Sequence, residues 1–278
     1  MSILETKDRI AGALYGFAIG DAMGATTEFM TRKEIERVHG QVTDIIGGGW
    51  LHLRPGEVTD DTEMTLCVAD ALMRAKNTKD FKKKCRRNFI SWRNSEPRDI
   101  GGTCYRGILC LSDNKEVPYN SRALGNGSLM RALPCALAEN LDWNLIQGDF
   151  THKNNTCRSI ISDYQNLISW LIVGSVTMLD SYRETVTSLQ PPTGYVMNTY
   201  NNALYWALKD SFKESIIGAV NDGGDADTIA AITGSISGAR FGYSQIPEEW
   251  IQKLNPQVKN LLDIFTEYLT TELEKKGR

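Results

Sequence analysis

The stretch that decides the fold is Ile10-Ala-Gly12-Ala-Leu-Tyr-Gly16-Phe-Ala-Ile-Gly20-Asp-Ala-Met-Gly24, in which a glycine recurs every four residues. Positions four apart lie on one face of an α-helix, so the glycines form a groove without side chains. Each glycine costs a helix about 1 kcal/mol relative to alanine, which indicates that close packing against another helix matters more here than propensity. The same spacing promotes helix pairing in membranes, but the charges of Asp8, Asp21 and Glu28 exclude that interpretation. The segment therefore predicts a buried central helix.

The rest of the chain shows mainly helical spacing of its apolar residues, while strand-like alternation is short and rare. No linker rich in serine, glycine or proline divides the sequence. We predict an all-α protein, folded as a single compact multi-helix domain over residues 1–278. The predicted helices cover residues 8–29, 61–76, 79–94, 103–112, 128–140, 158–180, 196–209, 212–221, 228–240 and 256–275.

Composition excludes several classes of protein. The 31 basic and 34 acidic residues leave a net charge of −3, which does not indicate a general nucleic-acid-binding surface. The longest apolar run, residues 167–179, is shorter than the about 20 residues that cross a bilayer, so we expect no membrane insertion. No secretory signal is visible at the N-terminus, and the six cysteines lack metal-ligand spacing. We expect a cytoplasmic monomer with reduced thiols and no nucleic-acid partner.

Two acidic motifs stand at predicted helix starts, Thr59-Asp60-Asp61-Thr62-Glu63 and Gly223-Gly224-Asp225-Ala226-Asp227-Thr228. One interpretation is helix capping, with Asp60 and Glu63 forming a capping box and the glycines a turn. The alternative is cation binding, because one acceptor is enough for a cap and four carboxylates placed together would need protons or cations. The donors are hard oxygens without cysteine or histidine, which favours Mg²⁺ or Mn²⁺ over zinc.

Further polar residues have both a structural and a functional interpretation. Asp21 and Glu28 are seven residues apart, which places both on one face of the first predicted helix, either in an ion pair or in a site. The turn Gly125-Asn126-Gly127-Ser128 precedes a predicted helix and can present N–H groups to a phosphate. Taken alone, Asp99 and His152 are typical loop residues.

Together these segments resemble the ADP-ribosylglycohydrolase family, which includes the dinitrogen-reductase-activating glycohydrolases and the ADP-ribosylarginine hydrolases. The resemblance rests on residues 16–29, 55–64, 125–131 and 223–242, which occur in the family's order. The two acidic motifs are specific as a pair, while the glycine turn is not. The resemblance implies an all-α fold and two divalent metal ions, Mg²⁺ or Mn²⁺, in a binuclear centre.

The resemblance also implies roles for single residues. Glu28 matches an acid near the scissile bond and is, with Asp60, a candidate acid or base, while Asp99 resembles an acid that meets the arginine side of the substrate. The residues expected to line the ADP-ribose are Gly125, Asn126, Gly127, Ser128 and His152. The implied ligands of one ion are Thr59, Asp60, Asp61 and Asp227, and those of the other are Asp61, Asp225, Asp227 and Thr228.

Two positions depart from the family pattern. Val58 stands where members often have tryptophan, and Thr151-His152-Lys153-Asn154 stands where they often have Thr-His-Pro-His. The second departure changes the segment expected on the nucleotide side of the pocket.

The implied activity is a metal-dependent hydrolase that removes ADP-ribose from modified proteins by cleaving the N-glycosidic bond of ADP-ribosylarginine. The expected partner is thus an ADP-ribosylated protein, and the product is ADP-ribose. Two alternatives stay open at this point. One is a hydrolase of ADP-ribosylserine or O-acetyl-ADP-ribose, and the other is a non-catalytic ADP-ribose-binding or crystallin-like structural protein.

Overall fold

The computed structural model describes residues 2–275, and within that range it contains fourteen α-helices and no β-strand. This confirms the all-α prediction. Two short 3₁₀ turns lie at Asn126–Ser128 and Tyr243–Gln245. The helices are α1 (Ile3–Gly24), α2 (Arg32–His39), α3 (Asp60–Arg74), α4 (Thr78–Asn94), α5 (Gly102–Ser112), α6 (Leu133–Leu137), α7 (Leu141–Asp149), α8 (Asn155–Ile172), α9 (Thr177–Thr185), α10 (Val196–Ala207), α11 (Phe212–Val220), α12 (Ala226–Phe241), α13 (Glu248–Lys253) and α14 (Pro256–Lys275).

The chain forms two compact units. Unit 1 contains the described parts of Met1–Thr59, Leu167–Gly194 and Asn198–Arg278, and unit 2 contains Asp60–Asn166 and Tyr195–Met197. That the whole chain behaves as one domain stays a prediction.

Unit 1 is built around the pair α1 and α12, which are buried over most of their lengths. A β-carbon added to Gly16 would lie 2.2 Å from the carbonyl oxygen of Gly234, and one added to Gly20 would lie 2.0 Å from that of Ala230. The contacts run from Gly12 against Gly238 to Gly24 against Ala226, so the two helices are antiparallel. The close packing predicted from the glycine spacing is confirmed.

We expect Gly20→Ala to lower the free energy of unfolding by about 1–3 kcal/mol, the usual cost of overpacking. The reason is that the new methyl group would overlap the Ala230 carbonyl oxygen, 2.0 Å away. The matched control is Gly102→Ala, whose β-carbon meets only the flexible guanidinium of Arg106, at 3.4 Å. Thermal unfolding measures both variants, and equal melting temperatures would contradict the backbone contact.

Several predicted helix boundaries are wrong. The first helix ends at Gly24 instead of residue 29, so Glu28 lies in the following turn and does not share a helix face with Asp21. The predicted helix 128–140 is reduced to α6, because Pro134 lies in the first turn of a helix that begins at Leu133 instead of inside a longer one. The predicted helix 158–180 is two helices, separated near Gly174, whose φ of +79° ends the first.

Three short helices were not predicted, namely α2, α7 and α13. Two of them begin with a cap that the sequence displays. The Thr31 hydroxyl accepts from the N–H of Glu34 and Glu34 returns a bond to the Thr31 N–H, while Asn140 caps α7 through the N–H of Trp143. A search for caps would have found both.

No helix between residues 2 and 275 combines the length and the apolar character needed to cross a membrane.

All six cysteines are free thiols, and burial raises the pKa of Cys85, Cys104 and Cys135.

Candidate metal-binding and catalytic residues

Three carboxylates of unit 1 converge where α1 ends and α12 begins. One oxygen atom from each of Glu28, Asp225 and Asp227 lies within 4.8 Å of the other two. Glu28 and Asp227 are buried, and Asp225 is half-buried. The antiparallel helix pair explains the convergence, because Gly24 lies against Ala226 and the two acidic segments therefore leave the pair at the same end. We call these three residues the acidic cluster.

The loops that carry the cluster are joined through their backbones. The N–H of Phe29 donates to the carbonyl of Gly224 at 2.7 Å, and the N–H of Gly224 donates to the carbonyl of Met30 at 2.8 Å. Gly223 has a φ of +74°, and a β-carbon there would lie 2.1 Å from the Met30 carbonyl oxygen. Glycine is thus required at position 223, because a side chain there would collide with the Met30 carbonyl and strain the backbone.

Asp225 does not act as the helix cap that the structural interpretation predicted. It occupies the N-cap position of α12, yet its side chain makes no capping hydrogen bond. Its carboxylate lies in the acidic cluster instead. The capping interpretation of the second motif is therefore wrong for this residue.

The acidic cluster fits a hard divalent cation. Carboxylates this close repel one another unless a proton or a cation intervenes. The donors are oxygens, which suit Mg²⁺, Mn²⁺ or Ca²⁺ better than zinc. The N-terminus of α12 opposes a cation with a partial charge of about one half, which the carboxylates outweigh.

Trp50 contacts the cluster and was not singled out by the sequence analysis. Its indole N–H donates to Oε2 of Glu28 at 2.5 Å, and its ring centroid lies 5.4 Å from that of Phe29. Phe29 is 66% exposed and Trp50 is 45% exposed, so both rings face solvent beside a buried acid. The sequence signal that could have located Trp50 is the run of glycines at residues 47–49. A β-carbon on Gly49 would lie 2.0 Å from the carbonyl oxygen of Ala25, so glycine lets the loop before Trp50 pack against the end of α1.

Asp21 positions the segment that precedes α3. It is fully buried, and its two carboxylate oxygens accept the Thr59 N–H at 3.1 and 3.2 Å. Asp21 therefore orients Thr59, a predicted metal ligand, and is not itself in the acidic cluster.

Unit 2 contains the other predicted acids. Asp60 and Asp61 open α3 and are buried, and Asp60 shares a side-chain hydrogen bond with Asp99. Burial raises the pKa of Asp99. Asp99 does not cap α5, whose N-cap is Gly101 without a side-chain bond. Glu63 does not complete a capping box, because its carboxylate accepts the indole N–H of Trp92 at 2.7 Å.

The residues predicted to line the nucleotide come together in unit 2. The position of a β-carbon on Gly127 lies 2.8 Å from Cε1 of His152, so the glycine allows the ring to pack on the turn. His152 is buried, and its Nδ1 lies 2.7 Å from the Thr151 hydroxyl. Burial and the charges of Arg131 and Arg106 lower the pKa of His152 to about 3, so the ring is neutral.

Arg131 stabilises the region around the glycine turn and His152. It lies in the segment 125–131, but the sequence indicated no role for it. Its fully buried guanidinium donates to Oε1 of Gln147 at 2.8 Å and to the Thr151 hydroxyl at 2.6 Å. Gln147 in turn donates to the carbonyl of Ser128 at 3.0 Å. One buried cation thus fixes both the turn and the Thr151–His152 pair.

Comparison with known proteins defines the class of enzyme. The sequence model of the family described as ADP-ribosylglycohydrolase matches residues 3–277, which is nearly the whole chain. An all-α fold and the two acidic motifs agree with that class. The chain belongs to the ADP-ribosylglycohydrolase family, as the resemblance predicted, and it is a glycohydrolase.

Two relatives and one solved structure illustrate the similarity. The chain is 38% identical to the ADP-ribosyl-[dinitrogen reductase] glycohydrolase of Rhodospirillum rubrum, over 92% of this chain and 93% of that protein. It is 32% identical to the ADP-ribosylarginine hydrolase Tri1 of Serratia proteamaculans, over 93% and 79% of the two chains. A solved ADP-ribosylglycohydrolase-related protein complex superposes with a TM-score of 0.83 at 27% identity, covering 96% of this chain and 99% of the other.

Proposed function

We propose that this protein hydrolyses the N-glycosidic bond between ADP-ribose and an arginine side chain of a modified protein, with divalent cations bound at the acidic cluster. The observation that carries the proposal is the convergence of Glu28, Asp225 and Asp227 within 4.8 Å. The arginine linkage is supported by the name of the Serratia relative, an ADP-ribosylarginine hydrolase, and a protein substrate by that of the Rhodospirillum relative, which acts on ADP-ribosyl-[dinitrogen reductase]. The proposal assigns Thr59, Asp60, Asp61, Asp225, Asp227 and Thr228 as the ligands of a binuclear centre and keeps Glu28 as the acid beside it.

The reaction sets three demands. Its transition state resembles an oxocarbenium ion, so the enzyme must orient the ribose, activate a water and protonate the leaving group. Divalent ions, when bound, supply positive charge for the ribose hydroxyls and make a water more acidic. Proton exchange is assigned to Glu28, whose Oε2 accepts the Trp50 indole N–H, with Asp60 as the other candidate.

The leaving group fits the aromatic pair beside Glu28. An arginine guanidinium is a planar cation that stacks on aromatic faces, with the electrostatic attraction of a cation–π contact. Phe29 and Trp50 offer exposed rings next to the carboxylate. Serine and O-acetyl linkages contain no such cation, so this pair supports the arginine substrate over those alternatives.

The proposal is tested by supplying proteins ADP-ribosylated on arginine or serine, together with O-acetyl-ADP-ribose, and measuring free ADP-ribose. We expect the arginine substrate to have the highest kcat/KM. A preference for serine or O-acetyl substrates would contradict the assigned specificity, and binding of ADP-ribose without product from any of them would contradict catalysis.

We expect Trp50→Phe to lower turnover by roughly 10 to 100-fold, because a hydrogen bond to a charged group contributes about 1.5–3 kcal/mol. The phenyl ring keeps the stacking partner of Phe29 while removing the N–H that Glu28 accepts. Trp170→Phe is the matched control, since Trp170 is 48% exposed and lies on α8 outside the cluster. Steady-state kinetics on the arginine substrate compare them, and equal turnover would show that the indole N–H is dispensable.

A further prediction concerns Asp99. A carboxylate can meet a guanidinium with paired hydrogen bonds, so we expect Asp99→Ala to slow hydrolysis of ADP-ribosylarginine by roughly one to two orders of magnitude. Any serine or O-acetyl activity should change little. Asp99→Asn is the companion variant, because its amide can still bond to Asp60 while lacking the charge. A loss that is uniform across substrates in Asp99→Ala and absent in Asp99→Asn would show that Asp99 only positions Asp60.

A further inference from the structure

A cavity of about 470 Å³ in unit 2 is walled by basic side chains. None of its lining residues is a predicted catalytic, substrate or metal residue. The cations come from three separate segments, namely α4, the loop after α5 and the residue that follows His152. They are Lys79, Lys82, Lys83, Arg86, Lys115 and Lys153. We call this feature the basic cavity.

The contribution of α4 is a single helix face. Its four cations stand at residues 79, 82, 83 and 86, a spacing that places them side by side. Like charges three and four residues apart destabilise a helix, so this arrangement costs stability unless an anion offsets it. Arg86 is fixed in the wall, because its Nη2 donates to the carbonyl of Leu111 and to Oδ1 of Asn114.

The protein itself neutralises only part of this charge, since Lys115 pairs with Asp113 at 3.2 Å. Asp149, one of the two acids in the lining, is held by Arg158 at 2.9 and 2.5 Å. Among the ion pairs within residues 2–275, none includes the lysines at positions 79, 82, 83 or 153. The cavity therefore carries an excess of positive charge that an external anion can satisfy.

Lys153 lines the cavity and is also one of the positions at which this sequence departs from the family pattern. It stands where family members often have proline, within the segment Thr151-His152-Lys153-Asn154. Its side chain lines the basic cavity, while His152 packs on Gly127. The departure thus places a cation in the wall of the cavity, next to a histidine that packs on the turn.

We propose that the basic cavity binds a small phosphorylated anion with a polyphosphate chain, such as an inorganic polyphosphate or a nucleoside polyphosphate. The volume is that of a small-molecule site. A phosphate chain places several charges within a few ångströms, whereas an extended peptide turns only alternate side chains toward one surface. Leu111, Ile146 and Phe150 give the cavity an apolar part that can hold a base.

The test is calorimetric titration of the whole protein in chelating buffer. The probes are inorganic tripolyphosphate, ATP and a hexaglutamate peptide. The test variant is Lys82→Ala with Lys83→Ala. The control is Lys76→Ala with Arg87→Ala, which removes the same charge from exposed residues in or beside α4 that do not line the cavity.

We expect tripolyphosphate and ATP to bind the wild type and to bind the test variant at least about tenfold more weakly, at 1.4 kcal/mol per factor of ten. The control should bind as the wild type does. Tighter binding of ATP than of tripolyphosphate would support a contact between a base and the apolar part. Absence of binding, equal weakening in the control, or tighter binding of hexaglutamate would each overturn the proposal. Circular dichroism and melting temperature establish that both variants are folded.

Discussion

Asp227→Asn is expected to abolish hydrolysis and to lower the metal content of the purified protein. Asp227 is buried in the first turn of α12, within 4.8 Å of Glu28 and Asp225, and is assigned as a ligand to both ions. Asparagine keeps the size of the side chain but removes one negative charge from a donor set that fits divalent cations. Elemental analysis and an assay for free ADP-ribose measure the two losses.

The helix should survive this substitution. Removing one of several neighbouring carboxylates relieves repulsion, so the melting temperature in chelating buffer should not fall. Asp210→Asn, at an exposed position of unit 1, is the control and should retain both metal and turnover. If Asp227→Asn keeps the wild-type metal content and full turnover, the binuclear assignment is wrong.

Glu28→Gln is expected to lower turnover by the roughly 10² to 10⁴-fold that accompanies loss of an acid–base group. Glutamine can still accept the Trp50 N–H through its carbonyl oxygen, so the aromatic pair should stay in place. It cannot exchange a proton as a carboxylate does. Calorimetry with ADP-ribose, metal analysis and single-turnover kinetics separate binding from chemistry.

The structure adds a second possible role for Glu28, because its carboxylate lies close enough to Asp225 and Asp227 to share a cation with them. The catalytic assignment requires metal and ADP-ribose binding to persist in Glu28→Gln while turnover falls. Loss of metal together with turnover would make Glu28 a ligand, and equal losses of ADP-ribose binding and turnover would make it structural. Glu36→Gln, an exposed position on α2, should behave as the wild type.

The central helix pair was predictable because its cause is local and periodic. Glycines at residues 12, 16, 20 and 24 remove the side chains from one face, and the carbonyls of α12 fill that space. The same contact brings the ends of α1 and α12 together. The convergence of Glu28 with Asp225 and Asp227 therefore follows from this glycine spacing and from the motif at residues 223–228, both visible in the sequence.

The end of α1 was not predictable from local preference. Apolar spacing continues to residue 29, but the backbone of Phe29 and Met30 pairs with Gly224, almost two hundred residues away in the chain. Trp50 and Arg131 were missed for a related reason. Each acts through contacts with residues distant in sequence, Trp50 with Glu28 and Arg131 with Gln147, and neither contact leaves a periodic signal.

Release of ADP-ribose by metal-free and reconstituted enzyme tests the central claim most directly. The protein is stripped with a chelator, shown by elemental analysis to lack metal, and incubated with a protein ADP-ribosylated on arginine before and after addition of Mg²⁺ or Mn²⁺. The account predicts no release by the stripped protein and recovery of release when either ion is added. Undiminished release by the metal-free protein would contradict it.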